Sequence, residues 1–181
     1  MGVKNLENSV QYLLDRIEIQ DVLARYASAQ DDHQANDFQI SADWSRVFTP
    51  DAILDYAQAG PPFGIVSYPQ LATIMRGDDK NGGVMSQAFQ KWQHMLGLPL
   101  VDIDIDGDTA KARTDLLATH QGRTNVGTPW HLFDACIFHD DLIRTDLGWR
   151  IQRRRLQVLY VETVQTVPPG TSLESLIGQA T

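Results

Sequence analysis

The sequence predicts an α+β domain, with helices in the N-terminal half wrapped around a curved antiparallel or mixed sheet from the C-terminal half. Three observations carry this. Apolar residues between Val10 and Tyr26 recur at spacings of three and four, the helical period. From Val101 onward the period falls to two, as in half-buried strands. Asp106-Gly107 and Thr145-Asp146-Leu147-Gly148 separate strand-like runs as hairpin turns do. Helices followed by a run of antiparallel strands are an α+β layout. Such a sheet, covered on its concave side by helices, forms a cone with an apolar interior, a common plan for a small-molecule pocket.

The first helix is expected over residues 7–30, where Val10, Leu13, Leu14, Ile17, Ile19, Val22, Leu23 and Tyr26 form the stripe and neither Gly nor Pro occurs. A short second helix, 42–49, carries Trp44, Val47 and Phe48 and is stopped by Pro50. DAILDY, residues 51–56, is a strand with Ala52, Leu54 and Tyr56 on one face. Gly60-Pro61-Pro62 is a loop. Ser67 caps a helix with Pro69 in its first turn and Leu71, Ile74 and Met75 as its apolar face. Gly77 ends that helix, Gly82-Gly83 make a second break, and a short helix is expected over 85–92. His94 then stands just ahead of the sheet. Val101, Ile103 and Ile105 alternate with Asp102, Asp104 and Asp106. The return strand puts Ala110, Ala112, Thr114, Leu116, Ala118 and His120 on one small apolar face, which should point inward. Strands at about 130–144 and 149–163 complete the sheet. Residues 1–165 are expected to form one domain and 166–181 a C-terminal tail.

Composition narrows the function. A chain of 181 residues, 43% apolar, can bury a core without staples. Its net charge of −8 argues against nucleic acid and anionic membranes as partners. One cysteine, Cys136, permits no intrachain disulfide and suits a reducing, cytoplasmic setting. No apolar run approaches the ~20 residues of a membrane span, and MGVKNLENSVQ has no apolar segment of the kind a secretion signal needs.

Several side chains could carry chemistry. Asp31 and Asp32 sit where the first helix ends, at the negative pole of its dipole, so they are not placed to stabilise it. For Asp32 and His33 a solvated loop is the simpler reading; Asp31 is open to either role. His94 could be a surface, core, ligand or base histidine. His120, inward by parity, must find a partner or line a pocket. His131 and His139, eight residues apart, share one strand face. No HxH or HExxH spacing exists, so no metal site is expected. Tyr56 should point inward, where its phenol serves the core or a substrate carbonyl. Arg153-Arg154-Arg155 reads as a solvated strand face with one bulged residue. Cys136, inside an apolar strand, reads as packing. GxGxxG, P-loop and GxSxG patterns are absent from the sequence.

RIEIQDVLARYASAQDDH, VFTPDAILDY and DDLIRTDLGWRIQRR together resemble the SnoaL-like branch of the nuclear transport factor 2-like superfamily, over about residues 16–155. Within it the chain resembles scytalone dehydratase: Asp31 after the first helix, QHMLG with His94, THQG with His120, and Tyr56 in LDY match that enzyme's motifs in order. IEIQDV is similar to a helix of hexachlorocyclohexane dehydrochlorinase, which has a like aspartate–histidine dyad. The resemblance implies cofactor-free chemistry in an apolar cone. His94, held by Asp31, would be the base, Tyr56 would polarise a carbonyl, and His120 would orient substrate or assist the leaving group. The dehydratase carries a tyrosine just before its aspartate; here Gln30 stands there, and Tyr26, one turn back, is the candidate to replace it. Tyr26, Gln30, Trp92 and His131 are the further candidates for substrate contact. The expected function is a lyase acting on a small cyclic or polyketide-like molecule in a homo-oligomer, dimeric or trimeric. An isomerase or cyclase on the same cone, or a non-catalytic binding module, is the alternative.

Overall fold

The computed structural model describes residues 3–34, 37, 39–104, 107–123 and 130–166. In chain order the elements are α1 (Val3–Asp32), α2 (Ile40–Trp44), β1 (Phe48–Asp55), β2 (Ile65–Val66), α3 (Tyr68–Arg76), α4 (Val84–Ala88), β3 (Phe89–Leu96), β4 (Leu100–Ile103), β5 (Thr109–Gly122), β6 (Trp130–Thr145) and β7 (Gly148–Gln165). The sheet runs β2-β1-β7-β6-β5-β3, with β4 also on β5. Only β1–β7 is parallel among these pairs. Strands of 14, 16 and 18 residues cannot stay flat, because strand twist accumulates along them. The sheet curves, without closing, around α1 and the short helices.

The alternation read from β5 holds: Ala110, Ala112, Thr114, Leu116, Ala118 and His120 are all buried on the inner face. α3 keeps its Ser67 capping box and ends at Gly77, whose φ of +85° favours glycine. Gly148, at φ +92°, turns β6 into β7. Ile105 and Asp106, and the tail from residue 167 on, lie outside the described residues.

Five expectations change. α1 continues to Asp32, so Asp31 belongs to its last turn and does not follow it. The N-terminal part of its stripe does not pack: Val10, Leu13, Leu14 and Ile17 are exposed, while Ile19, Val22, Leu23 and Tyr26 are buried. Pro50 does not stop a helix. α2 ends at Trp44, and Pro50 lies within β1 where the pairing to β7 shifts register between Phe48 and Ile53. A proline lacks the N–H of a regular ladder and fits such an irregularity. Residues 89–92 are not helical but open β3, so His94 sits inside a strand. A bulge between Phe89 and Lys91 puts Phe89 and Trp92 on one face at a spacing of three, which imitates a helix. Finally, Arg154 is not solvated. It is 2% exposed and pairs with Asp140, also 2% exposed, while its neighbours Arg153 and Arg155 are exposed on the outer face.

That buried pair lies deep in the cone. Arg154 donates from Nε and Nη2 to the two Asp140 oxygens at 2.7 and 2.8 Å. Its guanidinium lies 4.2 Å over the Tyr26 ring and 4.0 Å over Phe138. Burial works against its charge, but Asp140 more than offsets this and raises its pKa. Asp140→Ala should therefore destabilise the fold by about 3–5 kcal/mol, because it strands a buried cation. Arg154→Met with Asp140→Leu should recover most of that loss. Urea denaturation of the two variants beside the parent protein checks both outcomes.

Candidate active site

α1 is moored at two points, and the second one builds the site. In mid-helix, Arg144 from the end of β6 grips Asp15 through two bonds of 2.7 Å. Trp149 donates its indole N–H to Asp15 at 3.1 Å and its backbone N–H to Glu18 at 3.0 Å. The Arg144 bonds, ahead of the opposing effect of burial, hold the Asp15 carboxyl below its usual range.

At the C-terminal end of α1 the last carbonyls have no helical partner. Arg76, at the end of α3, supplies donors: Nη2 to the Gln30 carbonyl at 3.0 Å and Nε to the His33 carbonyl at 2.7 Å. Trp92 Nε1 donates to the same Gln30 carbonyl at 2.6 Å, and its ring lies 4.2 Å under the Arg76 guanidinium. Gln34 completes the clamp, donating to the carbonyls of Asp31 and Trp92 at 2.8 and 3.0 Å. Burial pulls Arg76 down to about 10, so it stays charged at neutral pH.

With α1 fixed against β3, Asp31 meets His94. Asp31 Oδ1 lies 2.8 Å from His94 Nδ1, and both carboxylate oxygens accept the His94 backbone N–H at 3.0 Å. A carboxylate at the negative end of a helix is thus compensated by two donors from the facing strand. The His94 side chain is 8% exposed and that of Asp31 27%. With Nδ1 engaged, Nε2 of His94 is left for a substrate.

His94 lines a cavity of about 270 Å³ on the inner face of the sheet. Tyr26, Gln30, Tyr56, His120, Asp134 and Cys136 line it too, among mainly apolar side chains such as Met75, Phe89, Leu116 and Phe138. A larger depression of about 630 Å³ lies on the outer face between Arg16, Lys111 and Arg155. His94 and His120 line only the inner cavity of the two, which makes it the candidate active site.

The phenols form a relay. Tyr26 and Tyr56 are 2.7 Å apart, oxygen to oxygen. Gln30 Nε2 donates to the Tyr26 oxygen at 3.1 Å. Arg76 Nη2 also donates to Gln30 Oε1. Because a guanidinium can only donate, Arg76 fixes which way the Gln30 amide faces. Burial raises the Tyr56 pKa well above its ordinary value, so it is a neutral hydrogen-bond donor.

His120 is 3% exposed, and its ring is 5.8 Å from that of His94, edge to face. Burial first, then the His94 charge, then Arg76, hold its pKa down to about 3. Its Nδ1 is 3.4 Å from Asp134 Oδ2 but too poorly aligned for a hydrogen bond, and has no other partner. Burial pushes the Asp134 carboxyl up to about 6 and the Cys136 thiol to about 11, so the thiol is no ready nucleophile.

The structure therefore brings together Asp31, His94, Tyr56, His120, Tyr26 and Gln30. Two candidates fall outside the cavity lining. Trp92 is buried behind it, held by Arg76 and Gln30. His131 lies on the outer face: it pairs with Gln121, and odd positions of β6 point away from the interior. His139 is also outward and bonds Gln157 at 2.9 Å. Asp134 escaped the sequence reading, although it interrupts an otherwise apolar inner face of Leu132, Cys136 and Phe138. Among the described residues no three His, Cys, Asp or Glu side chains group as metal ligands do.

His120 gives the site a pH signature. Between pH 6.5 and about 3 the unfolded chain takes up the imidazole proton and the fold does not, so this group costs stability as the pH falls. His120→Gln should gain stability relative to the parent protein on acidification through that window. Urea midpoints at pH 6.5 and 4.5 measure it.

A family profile described as the SnoaL-like domain matches residues 11–155. Uncharacterized proteins of Mycobacterium tuberculosis and Mycobacterium bovis are 35% identical over 149 residues, covering 81% of this chain and 86% of theirs. Among solved structures, a Kribbella flavida protein superposes with a TM-score of 0.67 at 23% identity, over 83% of this chain and 95% of that one. A hexachlorocyclohexane dehydrochlorinase of Novosphingobium barchaimii gives 0.68 at 16% identity, over 89% and 99%. A candidate scytalone dehydratase of Novosphingobium aromaticivorans gives 0.64 at 17%, over 91% and 99%. At these identities the structural likenesses speak for the fold alone. With the profile spanning most of the chain, the protein belongs to the SnoaL-like family.

Proposed function

We propose that the protein is a cofactor-independent lyase that removes water, or another small leaving group, from a small cyclic or polyketide-like molecule by β-elimination. The observation that carries this reading is the 2.8 Å contact between Asp31 and His94 at the wall of an apolar cavity. A neutral imidazole can take a proton from carbon beside a carbonyl. The carboxylate fixes the ring's tautomer and stabilises the imidazolium as it forms. Tyr56, backed by Tyr26 and Gln30, supplies a neutral donor for the enolate oxygen. The apolar walls strengthen each of these interactions by excluding water. A pure binding pocket has no use for a carboxylate-held imidazole.

The test is a panel of β-hydroxy ketones and halogenated ring compounds, with product masses recorded. His94→Ala should lower turnover by about 10²–10⁴-fold, with a cooperative melt retained. Asp31→Asn should act in the same direction. Tyr56→Phe should lower kcat by about 10²–10³-fold. Products lighter by water or hydrogen halide support elimination, whereas unchanged mass assigns the same base to an isomerase or cyclase. Full turnover by His94→Ala would overturn the reading.

A further inference from the structure

Three inner-face residues fall in one row across three strands. His94 on β3 pairs with Ala118 on β5, which pairs with Asp134 on β6. His94 and Asp134 are thus two strand spacings apart, about 9–10 Å. The side chain between them is a single methyl, buried at 2% exposure and lining the cavity. A leucine or valine there would fill the space; alanine leaves a slot, bordered by the His120 ring, which lies 5.8 Å from that of His94 and, at Nδ1, 3.4 Å from Asp134 Oδ2. The next row places His120, from β5, beside Asp134, with Nδ1 buried and unpartnered.

We propose that Asp134 is the acid that faces His94 across the slot above Ala118, giving its carboxyl proton to the departing hydroxyl of the substrate. The proposal rests on the lyase reading and sharpens it: the substrate carries its acidic C–H and a hydroxyl leaving group on opposite sides of one ring. The C–H proton passes to Nε2 of His94, and the C–H electron pair becomes the new C=C bond. The C–O bond breaks with its pair on oxygen, and the Asp134 proton joins that oxygen, which departs as water. His94 is left as imidazolium and Asp134 as carboxylate. One proton returned from His94 to Asp134 through water restores both.

A donor must hold its proton when substrate arrives. Burial raises the Asp134 pKa to about 6, and the adjacent His120, with a pKa near 3, does not take the proton from it. The other titratable groups lining the cavity are Cys136 on the same strand, His94 from β3, Tyr26 from α1 and Tyr56 beyond β1. The charged groups behind the lining are Asp31 from α1, Arg76 from α3, and the pair of Asp140 from β6 and Arg154 from β7. Environments that push two titratable groups apart are how one site holds an acid and a base at the same pH.

In a Y56F background, where no phenol competes for its carbonyl, acetophenone, an aromatic acceptor with no donor of its own, probes the acid without turnover. Its dissociation constant should rise by up to about 30-fold between pH 5 and 7.5, as the protonated fraction of a group titrating near 6 falls. D134N, which supplies an amide donor that does not titrate, should bind it with no such pH dependence. A118L should weaken binding at least tenfold by filling the slot. Carbon-13 NMR of aspartate-labelled protein should show one carboxyl titrating near pH 6 that is missing from D134N. Affinity flat with pH in the Y56F background, an Asp134 carboxyl that ionises like an exposed aspartate, or unaltered binding by A118L would each overturn the proposal. Those outcomes leave the His94 reading untouched, since that reading is judged by the turnover of His94→Ala.

Discussion

Arg76 is fully buried, yet it makes no ion pair among the described residues; it donates to the oxygen atoms that end α1. Those oxygens are the negative pole of a 30-residue helix, so the guanidinium replaces the partners that the last turn lacks. The same cation stacks on Trp92 of β3. One side chain therefore fixes the helix end relative to the strand, and that relation sets the distance from Asp31 to His94. It also turns the Gln30 amide, and through it the phenol relay. Both the Asp31–His94 contact and the Tyr26–Tyr56 pair depend on it.

The rest of the cone resists the cost of burying polar atoms in the same way, by pairing them where the sheet is deepest. Arg154 and Asp140 sit beneath Tyr26 and Phe138, and Asp15 is gripped by Arg144 and Trp149 at the other mooring of α1. These networks hold the scaffold while the cavity above it keeps His120 Nδ1 buried without a hydrogen bond. Such unpaired atoms cost stability and are available to a ligand.

Much of this was legible in the sequence. The strict alternation of β5 placed His120 inward, DAILDY placed Tyr56, and Asp31 stood out as an acid at the wrong end of a helix. Local periodicity cannot see pairing between strands. The bulge at the start of β3 spaced Phe89 and Trp92 like helix neighbours and hid the strand that carries His94. Three consecutive arginines look solvated, although alternation requires the middle one to face the opposite way, and its partner lies on the neighbouring strand. His131 looked available because its spacing to His139 says that the two share a face, not which face. Arg76 gave no signal, since its partners are backbone oxygens of a distant helix.

The parallel pairing of β1 with β7 joins Leu54 to Arg154, about a hundred residues later. The hairpins β5–β6 and β6–β7 join neighbours in sequence and can form early, whereas this closure pays a long loop's entropy. Tyr56 reaches the cavity only from the end of β1, His94 only from β3, and Asp134 only from β6. The proposed site thus has no partly assembled form: a nascent or nicked chain that has built its meander but not its closure holds an imidazole without its phenol. Long-range topology makes an assembled cavity a report on the completed fold.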